Sequence, residues 1–190
     1  MDDPRAAADV FCMRRSRAFL VVAFLLLAVV LGVTASPAHS GARRETQLHA
    51  LNHDLAAAIN AYRVTHGLKP LRVSIHLNAS SRQHSQEMGA DGYFDHPSAD
   101  GTAFWKRIQR YYPSRNYSSW SVGENLLYAS PTIDAVSALR MWLGSPEHRA
   151  NLRSRTWRDL GVSAVLVNDA GGVYGGNTVT LITTDFGARH

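Results

Sequence analysis

The stretch MWLGSPEHRANL, residues 141–152, combines the end of one helix, the start of another and a histidine. Gly144 suits the position just past a helix C-terminus, where a left-handed backbone is favoured. Ser145 then suits an N-cap, and Pro146 suits the first helical position. The stretch therefore predicts two consecutive helices with almost no loop between them, and it leaves the presence of His148 unexplained.

The predicted start of the second helix gives this histidine a possible chemical role. His148 falls in the first helical turn, where the partial positive charge of unpaired N–H groups disfavours the imidazolium form. A neutral imidazole is the form that ligates a metal or accepts a proton. The alternative is that the stretch only joins two helices, and the spacing leaves both interpretations open.

Two further polar residues are candidates for a site. His96 lies in FDHPSADG, residues 94–101, where the following proline favours an extended backbone and hence a loop. Histidines on loops are better functional candidates than histidines on an apolar helix face. Glu124 opens the run ENLLYA, and it is either a solvated acid at a strand end or an acid directed into a pocket.

Hydrophobic periodicity predicts about four helices before residue 145. Apolar residues recur at steps of three and four along one face in these segments, and Gly or Pro follows most of them. Side chains that cap helices, or prolines that open them, mark the starts. The predicted helices start at Leu48, at Ser74, at a Thr102 cap and at Pro131 or Thr132.

Beyond residue 157 the apolar period changes to two, which is typical of strands. Residues 162–167 and 179–186 are rich in β-branched side chains and are separated by the turn signals NDAGG and GGN. Residues 124–129 are short enough to form a third strand. Helices that precede closely connected strands predict an α+β fold with a small, mainly antiparallel sheet.

The N-terminal region is typical of a secretory signal peptide. Arginines precede the apolar run of residues 18–33, and small residues follow it. We expect a leader over residues 1–40, with cleavage between 40 and 41 or, alternatively, between 35 and 36. A short tether over residues 41–47 would then precede one domain over residues 48–190. The protein is expected to be secreted, with a membrane contact only if the leader stays uncleaved.

Composition excludes several functions. Cys12 is the only cysteine and lies in the predicted leader, so the domain has no disulfide and no thiol chemistry. The net charge is +5, but the basic residues are scattered and no nucleic-acid-binding motif is present. Attraction to anionic cell-envelope polymers remains an open alternative. A monomer is expected.

Seven motifs in order resemble the CAP superfamily, also called SCP-like extracellular proteins, and in particular its bacterial secreted branch. The resemblance covers roughly residues 51–186 and implies a CAP-like α-β-α sandwich with a central antiparallel sheet. The motifs are AINAYR, GLKPL, LNASSRQHSQEM, FDHPSADG, VGENLLY, MWLGSPEHRANL and LGVSAV.

The resemblance also implies a cleft lined by two histidines and two acids, which sometimes holds a divalent metal. His96 and His148 match the two histidines, and Glu124 matches one acid. Ser145 stands where the family has its second acid. Asp100 or Glu147 could substitute for that acid, because both lie nearby in the sequence.

Without the second acid, paired acid and base catalysis is not available at the matched positions. Two imidazoles and one carboxylate still satisfy the ligand pattern of an open zinc site, so His96, Glu124 and His148 are the predicted ligands of a zinc, calcium or magnesium ion. No HExxH motif supports this ligand set independently.

Three functions remain open. The first is a secreted binding module that takes a lipid, a cell-envelope polymer or a peptide in the His/Glu cleft, with or without a metal. The second is a metal-dependent hydrolase, peptidase-like or directed at the cell wall, in which the metal activates a bound water. In the third, the histidines and Glu124 bond to one another and only stabilise the fold.

Overall fold

The structure is a computed structural model that describes residues 8–9 and 45–190. The predicted leader and both of its cleavage positions lie outside the described residues, apart from the two-residue strand β1 (Ala8–Asp9). No helix in the described part of the chain is long and apolar enough to cross a bilayer.

The described residues form five α-helices and a mixed sheet. The helices are α1 (His49–Thr65), α2 (Ile75–Asp91), α3 (Phe104–Tyr111), α4 (Ala135–Gly144) and α5 (Pro146–Arg153). The remaining strands are β2 (Glu45–Gln47), β3 (Arg72–Val73), β4 (Trp120–Ala129), β5 (Asp159–Ala170) and β6 (Asn177–Arg189). A short 3₁₀ helix, Gly172–Tyr174, connects the last two strands.

The sheet is mainly antiparallel, as the sequence predicts. Its strands follow the order β1-β4-β6-β5-β2, and β3 pairs with β5 in parallel. The long ladders join β6 to β4 on one side and to β5 on the other. Because β2 and β3 are only two or three residues long, part of the outer edge of β5 has no strand beside it.

Helices cover both faces of this sheet and give an α-β-α sandwich. Helices α1, α4 and α5 pack on one face, with a core that includes Leu55, Trp142 and Phe186. Helices α2 and α3 cover the other face, where Leu77 and Ile108 are fully buried. Alternate residues of each strand therefore face different helices.

The junction between α4 and α5 forms largely as predicted. The side chain of Ser145 accepts a hydrogen bond from the N–H of His148, and Pro146 takes the first helical position. The left-handed backbone expected at Gly144 is wrong, because this residue ends α4 without a positive φ. Ser145 instead turns the chain in an extended conformation, with φ −94° and ψ 128°.

Helix α3 starts without the predicted cap. Ala103 is the N-cap residue and makes no side-chain hydrogen bond there. Thr102 lies one residue too early, and its N–H donates to Oδ1 of Asp100 at 2.8 Å. This Asp–Thr turn takes the place of the cap that was expected.

Helix α4 and strand β2 also differ from the prediction. The helix starts after Asp134, whose carboxylate accepts from the N–H of Ser137 at 2.8 Å, and not at Pro131 or Thr132. The last residues of the predicted tether form β2 (Glu45–Gln47), because the edge of β5 offers them backbone partners.

Gly161 permits the close packing of α2 on β5, and this contact can be tested. A Cβ atom at residue 161 would lie 2.2 Å from the carbonyl carbon of Leu77, so Gly161→Ala is expected to lower the free energy of unfolding by about 1–3 kcal/mol. Gly144→Ala is the matched control, since its Cβ would meet no atom within 4 Å. Urea unfolding gives both values. Equal midpoints for the two variants would contradict the close contact.

Candidate functional site

His96 lies in the loop between α2 and α3, and the structure joins it to Glu124. Its Nδ1–H donates to Oε1 of Glu124 at 2.8 Å. Both side chains are almost completely buried, with residue exposures of 2% for His96 and 0% for Glu124. The fold thus brings these two residues into direct contact, and this contact is closed to solvent.

Arg107 completes this cluster from α3. One terminal nitrogen of its guanidinium donates to Oε2 of Glu124 in a short ion pair, and the other donates to the carbonyl of His96 at 2.9 Å. The side chain of Arg107 is fully buried. Both carboxylate oxygens of Glu124 therefore already have donors, one from His96 and one from Arg107.

The Arg107 charge keeps Glu124 ionised in the interior. Burial raises the pKa of Glu124, but the charge of Arg107 and, to a smaller extent, His84 and His96 lower it further, to about 2. Glu124 is therefore a carboxylate at neutral pH, and the alternative of a solvated acid at the strand end is excluded by its burial.

A second acid lies beside Glu124, at a position that the sequence did not indicate. Asp185 of β6 pairs in register with Glu124 of β4, and both side chains are fully buried. Burial raises the pKa of Asp185 well above its usual range, and the charge of Glu124 raises it further. Both effects favour the neutral form of Asp185, which lies beside Ser80 and Glu124.

A second histidine and acid pair extends the polar region along α2. Nε2–H of the buried His84 donates to the carbonyl of Asp95 at 2.9 Å, and Nδ1 lies 3.6 Å from Oε2 of Glu87. The neighbouring imidazole of His84 is the main cause that lowers the pKa of Glu87 to about 2. Glu87 also accepts from the N–H of Ala99 and so fastens the loop to α2.

His148 is buried in α5, which packs on the other face of β4. The carbonyl of His148 accepts from the side-chain amide of Asn125 at 3.1 Å. Asn151 donates to the side chain of Asn125 at 2.9 Å and to the carbonyl of Glu124 at 3.2 Å. Because Glu124 and Asn125 are consecutive in a strand, their side chains point to opposite faces. Asn125 of VGENLLY and Asn151 of MWLGSPEHRANL thus join β4 to α5.

The side chains around Glu124 are a poor fit for a divalent metal. The guanidinium of Arg107 already supplies a positive charge at the carboxylate of Glu124, and this charge would repel a second cation there. Within residues 45–190, no group of three or more His, Cys, Asp or Glu side chains could hold a metal ion. The substitutes for the second acid do not help, because Asp100 and Glu147 are both exposed.

A groove of about 620 Å³ opens on another part of the surface. It lies along the outer edge of β5, between one side of α1 and the first two turns of α2. Small or branched apolar side chains line much of it, namely those of Ala56, Ala57, Val73, Ile75, Ala79 and Val162. Val73 and Ile75 are 58% and 76% exposed, although large apolar side chains favour burial.

Amide side chains form the polar part of this groove. Asn78 accepts from the N–H of Val162 at 2.9 Å, and Asn52 accepts from the N–H of Ala164 at 2.6 Å. Gln47 donates to the carbonyl of Ala164 at 3.0 Å. The side-chain carbonyls of Asn52 and Asn78 are thus bound to β5, and their NH₂ groups make no hydrogen bond among the residues that the structure describes.

With this geometry in view, comparison with known proteins identifies the family. The family model described as the cysteine-rich secretory protein family, CAP, matches residues 56–182. The chain belongs to this family. The family is named for its cysteines, but this chain has a single cysteine and therefore no internal disulfide.

Three relatives illustrate the similarity. The uncharacterized protein YkwD of Bacillus subtilis (strain 168) is 27% identical over 132 residues, which are 70% of this chain and 49% of that protein. An extracellular protein containing a SCP domain from Bacillus anthracis str. Ames is 28% identical with a TM-score of 0.55, over 72% of this chain and 40% of that one. An outer surface protein from Borrelia burgdorferi has the same fold, with a TM-score of 0.61 and 19% identity, over 78% of this chain and 99% of that one. This chain therefore spans about half the length of the curated relative.

The opposite charge states of Glu124 and Asp185 lead to a test. Glu124→Gln leaves the buried guanidinium of Arg107 without its counter-charge, so the free energy of unfolding is expected to fall by about 3–5 kcal/mol at about pH 7. The folded pKa of Glu124 lies below the unfolded value of about 4, so this loss should shrink as the pH falls from about 4 to about 2. Urea unfolding over this pH range measures the change.

Asp185→Asn is the matched control, because the neutral acid is replaced by a neutral amide of the same shape. The unfolded chain releases the proton of Asp185 above about pH 4 while the folded chain keeps it, so the wild type loses stability as the pH rises from there. The variant lacks this loss and is expected to be at least as stable as the wild type at about pH 7. Equal destabilisation by both substitutions would contradict the assigned charges.

Proposed function

We propose that this chain is a secreted binding module whose ligand lies in the groove along β5, between α1 and α2. The observation that supports the proposal most is the difference in access between the two candidate regions. The groove is open and lined by exposed apolar side chains, whereas His96, Glu124 and His148 are all buried. A ligand can reach the groove without any rearrangement of the fold.

This proposal moves the binding surface away from the cleft expected from the sequence. The contact between His96 and Glu124 supports the third function expected from the sequence, in which the site residues only stabilise the fold. Arg107 and Asn151 extend that cluster to α3 and α5. We therefore propose that the cluster maintains the sandwich while the groove binds.

The chemistry of the groove is compatible with all three of the expected ligand classes. Its apolar side chains suit an extended ligand with an apolar body, such as a lipid chain or a peptide. The NH₂ groups of Asn52 and Asn78 are donors, and Arg82 at the groove supplies a positive charge. A ligand with carbonyl, carboxylate or phosphate oxygens along its length complements this set, and lipids, peptides and cell-envelope polymers all meet that condition.

An extracellular location is part of the same proposal. The leader pattern of residues 1–40 supports export, and so do two relatives whose names describe an extracellular and an outer surface protein. A metal-dependent hydrolase has less support, because Arg107 already neutralises the carboxylate that would hold the metal.

Ile75 and Val136 provide a matched pair of variants to test binding. Both are exposed apolar residues, with exposures of 76% and 62%, but only Ile75 lines the groove. Binding would be measured with phosphatidylglycerol vesicles, purified peptidoglycan and an array of extended peptides. Ile75→Asp is expected to weaken the binding that is observed by about tenfold or more, whereas Val136→Asp should leave it unchanged.

Two results would contradict the groove as the binding surface. One is equal binding by Ile75→Asp and the wild type. The other is the absence of binding to all three probes by a wild-type protein that melts cooperatively. Glu124→Gln adds a further comparison, because a buried structural cluster predicts lower thermal stability and unchanged affinity below the melting temperature.

A further inference from the structure

Arg107 is the residue that distinguishes the buried cluster most clearly from a metal-binding site. Its guanidinium contacts Glu124, the carbonyl of His96 and, at 3.4 Å, the hydroxyl of Ser98. These contacts join α3 to β4 and to the loop that carries His96. A cation that bonds to the carboxylate and orients the surrounding backbone performs two tasks that a bound metal ion performs in other proteins.

The charges of the cluster balance without any added ion. Glu124 contributes one negative charge and Arg107 one positive charge, and both side chains are fully buried. A divalent ion beside Glu124 would therefore be placed next to a buried cation that already offsets the carboxylate, which is costly in the protein interior.

The orientation of His96 assigns Glu124 a supporting role in place of a ligand role. Because a carboxylate only accepts hydrogen bonds, Nδ1 of His96 carries the proton directed at Glu124. Only Nε2 of this ring is then chemically suited to ligate a metal, and Glu124 supports the ring from Nδ1 without being a ligand itself. His148 belongs to α5, which packs against the opposite face of β4 from the side chain of Glu124.

We infer that Arg107 is the built-in cation of the His96–Glu124 cluster and offsets the charge of Glu124, so that the cluster needs no metal. This inference concerns the interior of the fold and does not depend on the proposed function of the groove. Two measurements test it, one with metal ions alone and one with a cycle of variants.

The first measurement is thermal unfolding of EDTA-treated protein with and without an excess of zinc, calcium or magnesium chloride. The Tm of the wild type is expected to stay unchanged. His96→Gln is the comparison protein, since it removes the one suitable nitrogen. A rise of several degrees in the wild type that is absent from His96→Gln would overturn the inference. A rise of equal size in both proteins comes from other residues and supports a metal-free cluster.

The second measurement compares Arg107→Met, Glu124→Gln and the double variant. Each single change leaves one buried charge uncompensated, whereas the double variant contains neither charge. The double variant is therefore expected to melt at a higher temperature than Arg107→Met. Arg110→Met is the control, because Arg110 is exposed on the same helix and its loss should leave the Tm near that of the wild type.

Additive losses would overturn the inference, since independent residues show no coupling. If Arg107→Met does not fold, cooperative melting of the double variant supports the inference, and failure of the double variant to recover such melting overturns it. Ligand binding in the groove is not a readout in either measurement, so the result is independent of the proposed function.

Discussion

A charged carboxylate in the middle of a sheet is stable only where a cation and hydrogen-bond donors reach it, and Glu124 imposes that condition on this fold. Arg107 satisfies it from α3, and His96 satisfies it from the loop before α3. Since an isolated buried charge costs several kcal/mol, the helix, the loop and β4 have to come together in one arrangement. The cluster thus fixes how the layer of α2 and α3 sits on the sheet.

The local parts of the fold could be predicted from the sequence, because they depend on neighbouring residues. Periodic apolar spacing placed the starts of α1 and α2 within one residue, and Ser145 caps α5 as expected. The predicted start of a helix was wrong where several nearby residues were suited to begin it. Asp134 caps α4 although Pro131 and Thr132 also suited its start, and the long strands extend beyond their most apolar segments.

The site was predicted less completely, because its partners are distant in the chain. The contact between His96 and Glu124 was anticipated only through family resemblance, and no spacing rule indicates a cross-strand partner such as Asp185. Arg107 could have been suspected, since it lies in α3 next to the buried Ile108 and a charged side chain there needs a partner. Asn151 carried no signal of its own, and only the fold shows that it joins α5 to β4.

The amide side chains along β5 have a consequence for how the molecule meets other chains. A strand edge with unpaired N–H groups is a template on which another strand can add, and this is a route to fibrous aggregation. Asn52 and Asn78 occupy the N–H groups of Ala164 and Val162 within the chain. Between β2 and β3 these groups are therefore not available to a foreign strand, and this protects the exposed edge of β5 from aggregation.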